Sequence, residues 1–336
     1  MNIPKLRAIN APIHSVEQQA SRCVELLSAA HRRRPAFPRL SGGFVKNSEA
    51  DEEQTPAAGK DSPHLEKHER EQAARSTQLA ARVIHEVLRE EGEVELRRSV
   101  AALSWSGLAA GLSMGFSFMT MAMLQSVLRG APASDLIAPL GYTIGFLITV
   151  LGKQQLFTET TLTATLPLMH RPSAFGLWRL MRMWAVVLAT NLAGTVIFAW
   201  LLSRPGVMRP EVAAALMNAA KAAFSDSFIV GALRAMFSGW LIALMVWLLP
   251  AAAAAAPFVI VALTYVVGLA QFPHIVAGST EAAYAVINGA ASVQDYLVRF
   301  LVPTLTGNLL GGTALAAVLN HAPVAHDFAA QESDGA

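Results

Sequence analysis

Two polar breaks interrupt the hydrophobic part of this chain, and each carries a side chain that could handle a proton. His274 lies in the second break, residues 272–276, and Thr158 lies in the first, residues 156–160. A histidine within a hydrophobic span is costly to place and is usually functional. A threonine hydroxyl can donate to a histidine nitrogen or cap the helix that follows it. We therefore predict a site centred on His274 with Thr158 as its partner. A structural histidine bonded to a carbonyl group and a simple capping threonine are the alternatives.

Other charged residues stand near these breaks. Lys153, Glu159 and Glu281 are predicted to form buried or interfacial ion pairs, with one another or with Arg234, because an unpaired charge inside a membrane is expensive. Lys221 precedes the fourth hydrophobic span and could stand in an outer vestibule, where it would attract anions. A solvated lysine fits that position equally well.

Helices must position these residues, because the chain beyond residue 100 is strongly hydrophobic. Residues 1–100 hold 31 charged side chains, whereas residues 101–320 hold only 16. Backbone groups in lipid need partners within their own segment, so apolar spans of about 20 residues are predicted to be transmembrane helices. The sequence therefore predicts an all-α membrane protein with six spans, at 101–128, 136–152, 175–202, 228–249, 257–272 and 296–319.

The six spans divide into two similar halves. The second and fifth spans are short, and each is followed by a break and a further short apolar piece, at 162–169 and 275–287, which is typical of a transporter site. Small residues that let helices approach closely recur every fourth position in the first and fourth spans. These residues are Gly107, Gly111 and Gly115 in one half and Gly231, Ala235 and Gly239 in the other.

An asparagine follows each break at nearly the same distance. Asn191 comes 33 residues after Thr158, and Asn308 comes 34 residues after His274. We predict that both asparagines bond to the breaks and hold them in shape. An odd number of crossings in each half makes the second half inverted relative to the first, so the sequence predicts two inverted three-helix repeats with broken second and fifth helices.

The flanking segments differ from this hydrophobic region. Residues 1–63 and 322–336 are predicted to be disordered tails, since they are rich in polar residues, Gly and Pro. Residues 64–98 are predicted to form an amphipathic helix. That helix is either solvated or, as we slightly prefer, lies on the membrane surface or a neighbouring subunit. Arginines before the first span and between the second and third favour cytoplasmic termini, although basic residues in the opposite loop weaken this orientation.

Composition excludes several classes of function. A uniformly soluble enzyme would need more polar surface than the hydrophobic region offers, and no motif of an enzyme active site is present. A net charge of +2 gives no basic footprint for nucleic acid, so no nucleic-acid partner is expected. A single cysteine excludes a disulfide framework and a thiolate zinc site. We predict no metal site and no cofactor.

Several of these motifs together resemble the formate–nitrite transporter family. They are Leu156-Phe157-Thr158 in the first break, the histidine two residues after Phe272, and the segment 307–312, Gly-Asn-Leu-Leu-Gly-Gly. The similarity covers about residues 101–321 and is closest to a bacterial inner-membrane branch with a long charged N-terminal extension. The chain departs from the family pattern at Lys153-Gln154-Gln155, Gly239 and Pro273, which bears on the substrate rather than the fold.

The resemblance implies an aquaporin-like six-helix bundle in the bacterial inner membrane, assembled as a homopentamer with one pore in each protomer. It also implies transport of small monovalent anions, formate, nitrite or hydrosulfide among them. By position, His274 matches the central pore histidine and Thr158 its partner, while Lys221 lies near the vestibule lysine but out of register with it. Phe157, Ile242 and Val267 fall at the apolar constrictions.

These observations predict passive or proton-coupled transport of a small anion. A bare anion between apolar rings has a large desolvation cost, which it avoids if it is protonated at His274 or by water near it. Two other hypotheses remain open. One is a channel for a neutral molecule such as ammonia, and the other is a non-transporting membrane scaffold or regulator that works through its charged N-terminus.

Overall fold

The structure, a computed structural model, describes residues 81–317, and within that range every regular element is helical. The predicted tails at 1–63 and 322–336, and residues 64–80 of the predicted amphipathic helix, lie outside the described residues. Within the described residues, eight helices precede the fourth predicted span. They are α1 (Ala81–Arg97), α2 (Val100–Val127), α3 (Ser134–Ile137), α4 (Pro139–Leu151), α5 (Phe157–Thr163), α6 (Leu166–His170), α7 (Ala174–Leu202) and α8 (Pro210–Ala222).

The remaining helices are α9 (Phe228–Ala252), α10 (Ala256–Leu269), α11 (Ala277–Ile287) and α12. Helix α12 is continuous over residues 293–317 but changes its winding along the way. It consists of an α-helical turn (Val293–Asp295), a π-helical segment (Tyr296–Leu301), an α-helical segment (Val302–Leu309) and a second π-helical segment (Leu310–Ala317). The predicted sixth span therefore falls within one helix of irregular winding, over its described part.

Four segments of the described chain are long and apolar enough to cross a membrane: Val100–Val127, Ser134–Leu151, Ala174–Leu202 and Phe228–Leu269. The last of these joins the predicted fourth and fifth spans, which the sequence separates at Pro250 and the alanines that follow it. A single 3-10 turn, Ala253–Ala255, connects α9 to α10 there. A proline does not end α9, which continues to Ala252.

Both predicted breaks are present. Helix α4 ends at Leu151 before α5 begins at Phe157, and α10 ends at Leu269 before α11 begins at Ala277. The second residue after each ended helix, Lys153 and Gln271, has a positive φ, of 50° and 52°. This left-handed conformation cannot continue a right-handed helix, so the chain turns away from the helix axis at equivalent points in the two breaks.

Glycines let the main helices come into backbone contact. A Cβ atom on Gly111 of α2 would lie 2.1 Å from the backbone oxygen of Asn191 in α7. A Cβ atom on Gly239 of α9 would lie 2.4 Å from the backbone oxygen of Asn308 in α12. The helix that carries the asparagine in each half, α7 or α12, is thus seated against the first helix of that half. Gly231 does not take part, since its added Cβ would meet nothing closer than 3.7 Å.

The amphipathic helix α1 packs on this chain itself, against α5, α6, α7 and α9. Leu88 and Leu96 are buried, and Gly92 lies so close to the Thr163 carbonyl that a Cβ atom would be 2.0 Å from its oxygen. The guanidinium of Arg182 donates to the carbonyl oxygens of Leu96 and Arg98 at the end of α1. The chain's own helices bury Ile84, Leu88 and Leu96, whereas Val83, Val87 and Val94 of the same helix are exposed. The preferred contact of α1 with lipid or a neighbouring subunit stays a prediction, and it concerns only this exposed face.

The backbone contact at Gly239 predicts a stability difference between two glycines of the same helix. Changing Gly239 to alanine forces α9 and α12 apart, and overpacking of this kind costs roughly 1–3 kcal/mol. We expect the thermal unfolding temperature of the detergent-solubilised protein to fall for Gly239→Ala. The matched variant Gly231→Ala has room for its methyl group and replaces glycine by a better helix former. Its unfolding temperature should stay level or rise, and an equal loss in both variants would contradict the contact.

Candidate functional site

The two breaks bring His274 and Thr158 together. The Oγ1 atom of Thr158 lies 2.8 Å from Nε2 of His274, although the two residues are 116 positions apart in the sequence. Both side chains are buried, with His274 only 1% exposed. The ring of Phe146 packs edge-on against the imidazole, with 5.1 Å between ring centroids. The pair is thus held in an apolar surrounding.

A backbone bond assigns the tautomer of the neutral histidine. The N–H group of Ala277, in the first turn of α11, donates to Nδ1 of His274 at 3.2 Å. An imidazole nitrogen that accepts a hydrogen bond carries no proton, so the proton of the neutral ring is on Nε2. Nε2–H then donates to the Thr158 hydroxyl oxygen, which leaves the hydroxyl proton of Thr158 free to be donated to a further acceptor.

Asn191 and Asn308 hold the two breaks with equivalent bonds. Asn191 Oδ1 accepts from the backbone N–H of Phe157 at 2.9 Å, and Asn308 Oδ1 accepts from that of Ile275 at 2.8 Å. Each asparagine amide also donates to carbonyl groups on both sides of its site. Asn191 Nδ2 reaches the carbonyls of Gly107 and Gln155, and Asn308 Nδ2 reaches those of Ala235 and Pro273.

These bonds place the two site residues directly. Phe157, whose N–H is held, is the neighbour of Thr158, and Ile275 is the neighbour of His274. Each asparagine also ties its break to the first helix of the same half, through the carbonyl at Gly107 or Ala235. In the second half, Asn308 Nδ2 donates in addition to Ser238 Oγ. The backbone of each break is thus fixed in the absence of helical hydrogen bonds.

The three side chains expected at constrictions are buried in one hydrophobic cluster. Phe157 and Ile242 are 1% and 0% exposed, and Val267 is fully buried. The ring of Phe157 packs edge-on against Trp184, with 6.0 Å between centroids. Val267 lines a cavity beside His274, whereas Phe157 and Ile242 line neither of the two cavities described below. Phe157 and Ile242 therefore belong to a closed, tightly packed part of the bundle.

Two cavities of about 270 Å³ each flank this closed part. The first, which we call the His274 cavity, is lined by His274, Val267, Glu281 and residues of α2, α8 and α9, among others. The second, the Glu159 cavity, is lined by Glu159, Leu156 and residues of α1, α4 and α9, among others. Leu156 and Glu159, which flank Phe157 and Thr158 in the sequence, both line the Glu159 cavity.

The two cavities lie at opposite ends of the same helices. Helix α10 contributes Gly268 to the His274 cavity and Ala256 to the Glu159 cavity. Those two residues are separated by about 18 Å along a helix that rises about 1.5 Å per residue. Helix α9 likewise contributes Arg234 to the first cavity and Leu249 to the second. His274 lines the first cavity, and Glu159, the neighbour of Thr158, lines the second, so the His274–Thr158 pair adjoins both cavities.

The ion pairs differ from those expected from the sequence. Arg234 Nη1 binds Asp226 Oδ2 at 2.8 Å, and Nη2 donates to the carbonyls of Ala270 and Gln271 in the second break. The prediction of ion pairs for Glu159 and Glu281 was wrong for the described residues, because neither carboxyl forms a salt bridge with any residue in 81–317. The sequence analysis paired these glutamates with charged residues near the breaks, Arg234 among them. In the structure, the guanidinium of Arg234 is already bound to Asp226.

Lys153 and Lys221 also stand apart from the site. Lys153 is 84% exposed at its side chain and lies 4.0 Å from the carboxylate of Glu91 on α1. Lys221, in the last turn of α8, is exposed, and the cavity is lined instead by its neighbours Asn218, Ala219, Ala222 and Ala223. The structure of this single chain does not bring Lys221 to the His274 cavity.

Helix α1 brings an acidic group to the site that the sequence analysis did not single out. Glu95 Oε1 accepts from Nε2 of Gln155 at 2.9 Å, and its Oε2 accepts from the Thr163 hydroxyl at 2.9 Å. Both Glu95 and Glu91 line the Glu159 cavity. Their spacing of four residues puts them on one face of α1, and this spacing was the only sequence signal available for them.

Comparisons with known proteins agree on one family and one fold. A sequence model described as the formate/nitrite transporter matches residues 82–322. The inner membrane protein YfdC of Escherichia coli (strain K12) is 43% identical over 252 residues, which cover 74% of this chain and 80% of that protein. The family resemblance drawn from the motifs is thereby confirmed.

Two solved structures share the fold at low sequence identity. One is described as a pentameric formate channel with formate bound, and it is 20% identical with a TM-score of 0.55, covering 63% of this chain and 92% of its own. The other is described as an FNT family ion channel, and it is 18% identical with a TM-score of 0.61, covering 70% of this chain and 96% of its own.

The contact of Glu95 with the first break predicts a pH-dependent attachment of α1. Burial raises the pKa of the Glu95 carboxyl above its ordinary value of 4.5 and Glu91 raises it further, while hydrogen bonds from Gln155 and Thr163, and the charge of Arg98, oppose the shift. A raised pKa means that the attachment is strongest below 4.5 and weakens as pH rises through the raised value. The variant Glu95→Gln stays neutral, so at neutral pH we expect hydrogen exchange in α1 to be several-fold slower than in the wild type.

The same measurement in acid is the internal control, because the two proteins should then exchange alike after correction for the intrinsic rate. Glu91→Gln, at a half-exposed position four residues earlier, should change the exchange of α1 much less. Faster exchange of α1 in Glu95→Gln at neutral pH would show that the docked carboxylate is ionised and that its charge strengthens the attachment.

Proposed function

The chain belongs to the formate/nitrite transporter family, and from this premise we propose that it transports small monovalent weak-acid anions such as formate and nitrite. The observation that carries the proposal is the closed segment between two cavities at opposite ends of the bundle, with a buried histidine–threonine pair in it. A protein with this arrangement can admit a small solute from either side. It cannot pass a hydrated ion without removing its water.

Desolvation is the main barrier for an anion on this path. Phe157 and Ile242 offer no hydrogen bonds, and taking an unpaired ion out of water costs far more than taking out the corresponding neutral acid. Gaining a proton lowers that cost, so the path favours anions of weak acids over anions of strong acids. A cavity of about 270 Å³ leaves ample room for a molecule as small as formate.

The His274–Thr158 pair supports such a neutral crossing. The first turn of α11 starts beside His274, and helix N-termini attract negative charge. The Thr158 hydroxyl proton can be donated to an anion oxygen while the hydroxyl accepts the bond from Nε2 of His274. The histidine, or water polarised beside it, then supplies the proton in this proposal, and the neutral acid passes the apolar segment.

We also propose the finer architecture. The equivalent bonds of Asn191 and Asn308 support two inverted three-helix repeats, with α5 and α11 as the half-helices that follow the breaks. The pentameric neighbour supports a homopentamer with a pore in each protomer. Exposed apolar side chains on the outer faces, Ile229 and Phe258 for example, fit contact with lipid or with another copy. The inner-membrane relative supports an inner-membrane location, for which we propose cytoplasmic termini.

A channel for ammonia is the second candidate, because one specific observation favours it. Carboxyl groups without a cation partner line both cavities, Glu281 in one and Glu159 in the other. Such groups attract ammonium, which would then lose a proton and cross as ammonia. Flux measured with formate, nitrite and ammonium in the same proteoliposomes separates the candidates, and a scaffold would carry none of the three.

Substitution of the central pair tests the proposed function. His274→Asn removes the titratable ring, and Thr158→Val removes the hydroxyl at constant shape. We expect formate flux in proteoliposomes to fall roughly tenfold in each, a modest part of what a positioned proton-transfer group contributes. We also expect the pH profile of His274→Asn to differ from that of the wild type.

Thr306→Val is the matched control, because Thr306 is exposed on α12 and bonds only to its own helix, through the carbonyl of Val302. Its flux and pH profile should equal those of the wild type. If His274→Asn leaves both the rate and the pH profile unchanged, the histidine takes no part in transport and the proposed mechanism is wrong.

A further inference from the structure

Glu281 is an acid inside the His274 cavity without a partner. It stands on α11, seven residues after His274, and both residues line that cavity. Its carboxyl makes no hydrogen bond and no ion pair with any residue of the described chain 81–317. An ionisable residue inside a transmembrane bundle is costly and marks a proton or ion pathway more often than a packing role.

The groups around Glu281 are committed elsewhere. The guanidinium of Arg234 lines the same cavity but binds Asp226 and two carbonyls of the second break. His274 bonds through both ring nitrogens, to Thr158 and to the N–H of Ala277. Tyr142 of α4 is within electrostatic range of Glu281 without a hydrogen bond to it, and Phe300 of α12 is apolar. A molecule that enters the cavity therefore meets the Glu281 carboxyl uncompensated.

Glu159 is the corresponding acid of the Glu159 cavity. Its Oε1 atom is buried and has no hydrogen-bond partner among the described residues. Glu95 and Glu91 of α1 face it with the same charge, and Lys153 of the first break, which acts on it favourably, extends toward Glu91 and water. An unpaired charge in such a place is expensive. A carboxyl group in that position avoids the desolvation cost while it is protonated, and it can exchange this proton with a solute.

The two acids stand on opposite sides of the closed segment, because their cavities lie at opposite ends of α9 and α10. We propose that Glu281 and Glu159 are the proton-exchanging groups of the two cavities, so that a weak acid gains its proton on one side of the His274–Thr158 pair and loses it on the other. This rests on the proposed function and changes one step of it. The two flanking acids, rather than the histidine, supply and take up the proton, and the His274–Thr158 pair binds the acid by hydrogen bonds as it crosses.

The proton balance is complete without any further reactant. On the entry side, the O–H bond of the Glu281 carboxyl breaks and its proton goes to an oxygen of the anion, leaving a carboxylate and a neutral acid. The neutral acid crosses the apolar segment. On the exit side, the acid gives its proton to the Glu159 carboxylate and leaves as an anion. Each glutamate then restores its starting state with water on its own side, so one anion and one proton move together with no net charge.

The experiment compares isosteric amides in full-length protein. Glu281→Gln and Glu159→Gln keep size and polarity but cannot exchange a proton. Formate entry into proteoliposomes is followed by a pH dye in the lumen and by the current across a supported membrane. Glu211→Gln, an exposed carboxyl in the first turn of α8, is the matched control, and Glu281→Asp tests rescue. Size-exclusion elution shows that each variant is folded.

We expect the wild type and Glu211→Gln to acidify the lumen without current. Each of the two amide variants should carry formate roughly tenfold more slowly than the wild type at neutral pH. This difference in flux should become smaller at low pH, where formic acid is already present in the bulk solution. Glu281→Asp should recover part of the rate. Amide variants that match the wild type in rate, in pH profile and in the absence of current would overturn the proposal.

A second readout tests the acids even if formate is not carried. Infrared difference spectra between acid and neutral pH should contain the carbonyl band of a protonated carboxyl group in the wild type and in Glu211→Gln. Part of that band should be lost in Glu281→Gln and another part in Glu159→Gln. A wild type that carries neither formate nor nitrite refutes the proposed function, whereas unchanged bands in both amide variants refute proton exchange at these two residues.

Discussion

The arrangement of this protein depends on satisfying backbone groups in two places where the helix stops inside an apolar bundle. A backbone N–H or carbonyl group that is buried there, away from water, needs a partner within the protein. Asn191 and Asn308 do this through the oxygen and the nitrogen of their side-chain amides. Because the residues they hold are neighbours of Thr158 and His274, the same bonds that make the breaks possible also bring the central pair within 2.8 Å.

The charges follow from the same geometry. Cations that the sequence places near the breaks are used to hold the structure, since Arg234 secures the second break and Arg182 secures the end of α1. The acids Glu159 and Glu281 face the cavities instead. Acidic cavity walls would repel an anion, but they are compatible with the proposed function, in which the transported species is neutral where the bundle is closed. Helix α1 adds Glu91 and Glu95 to the Glu159 cavity, so the segment before the first span forms part of its wall.

The sequence predicted the parts of the site that are local along the chain. The breaks, the half-helices, the two asparagines and the histidine each had a signal within a few residues, and the motifs identified the family. The sequence analysis ended the fourth span at residue 249, whereas the helix continues through Pro250 to Ala252, because a proline and a run of alanines fit a loop as well as a helix. Glu95 carried little signal, since a glutamate on an amphipathic helix is ordinarily solvated, and only the docking of α1 buries it against Gln155.

What the sequence alone determined is the class of the molecule and the identity of its special residues, because hydropathy, break position and motif spacing are properties of the chain itself. Only the tertiary structure decided which charges meet. Glu281, Asp226 and Arg234 are all present in the sequence, yet the pairing of Arg234 with Asp226, and the resulting isolation of Glu281, follow from the way α9 and the second break pack in space. Electrostatic interactions depend on distance and burial across the fold, which sequence separation does not encode.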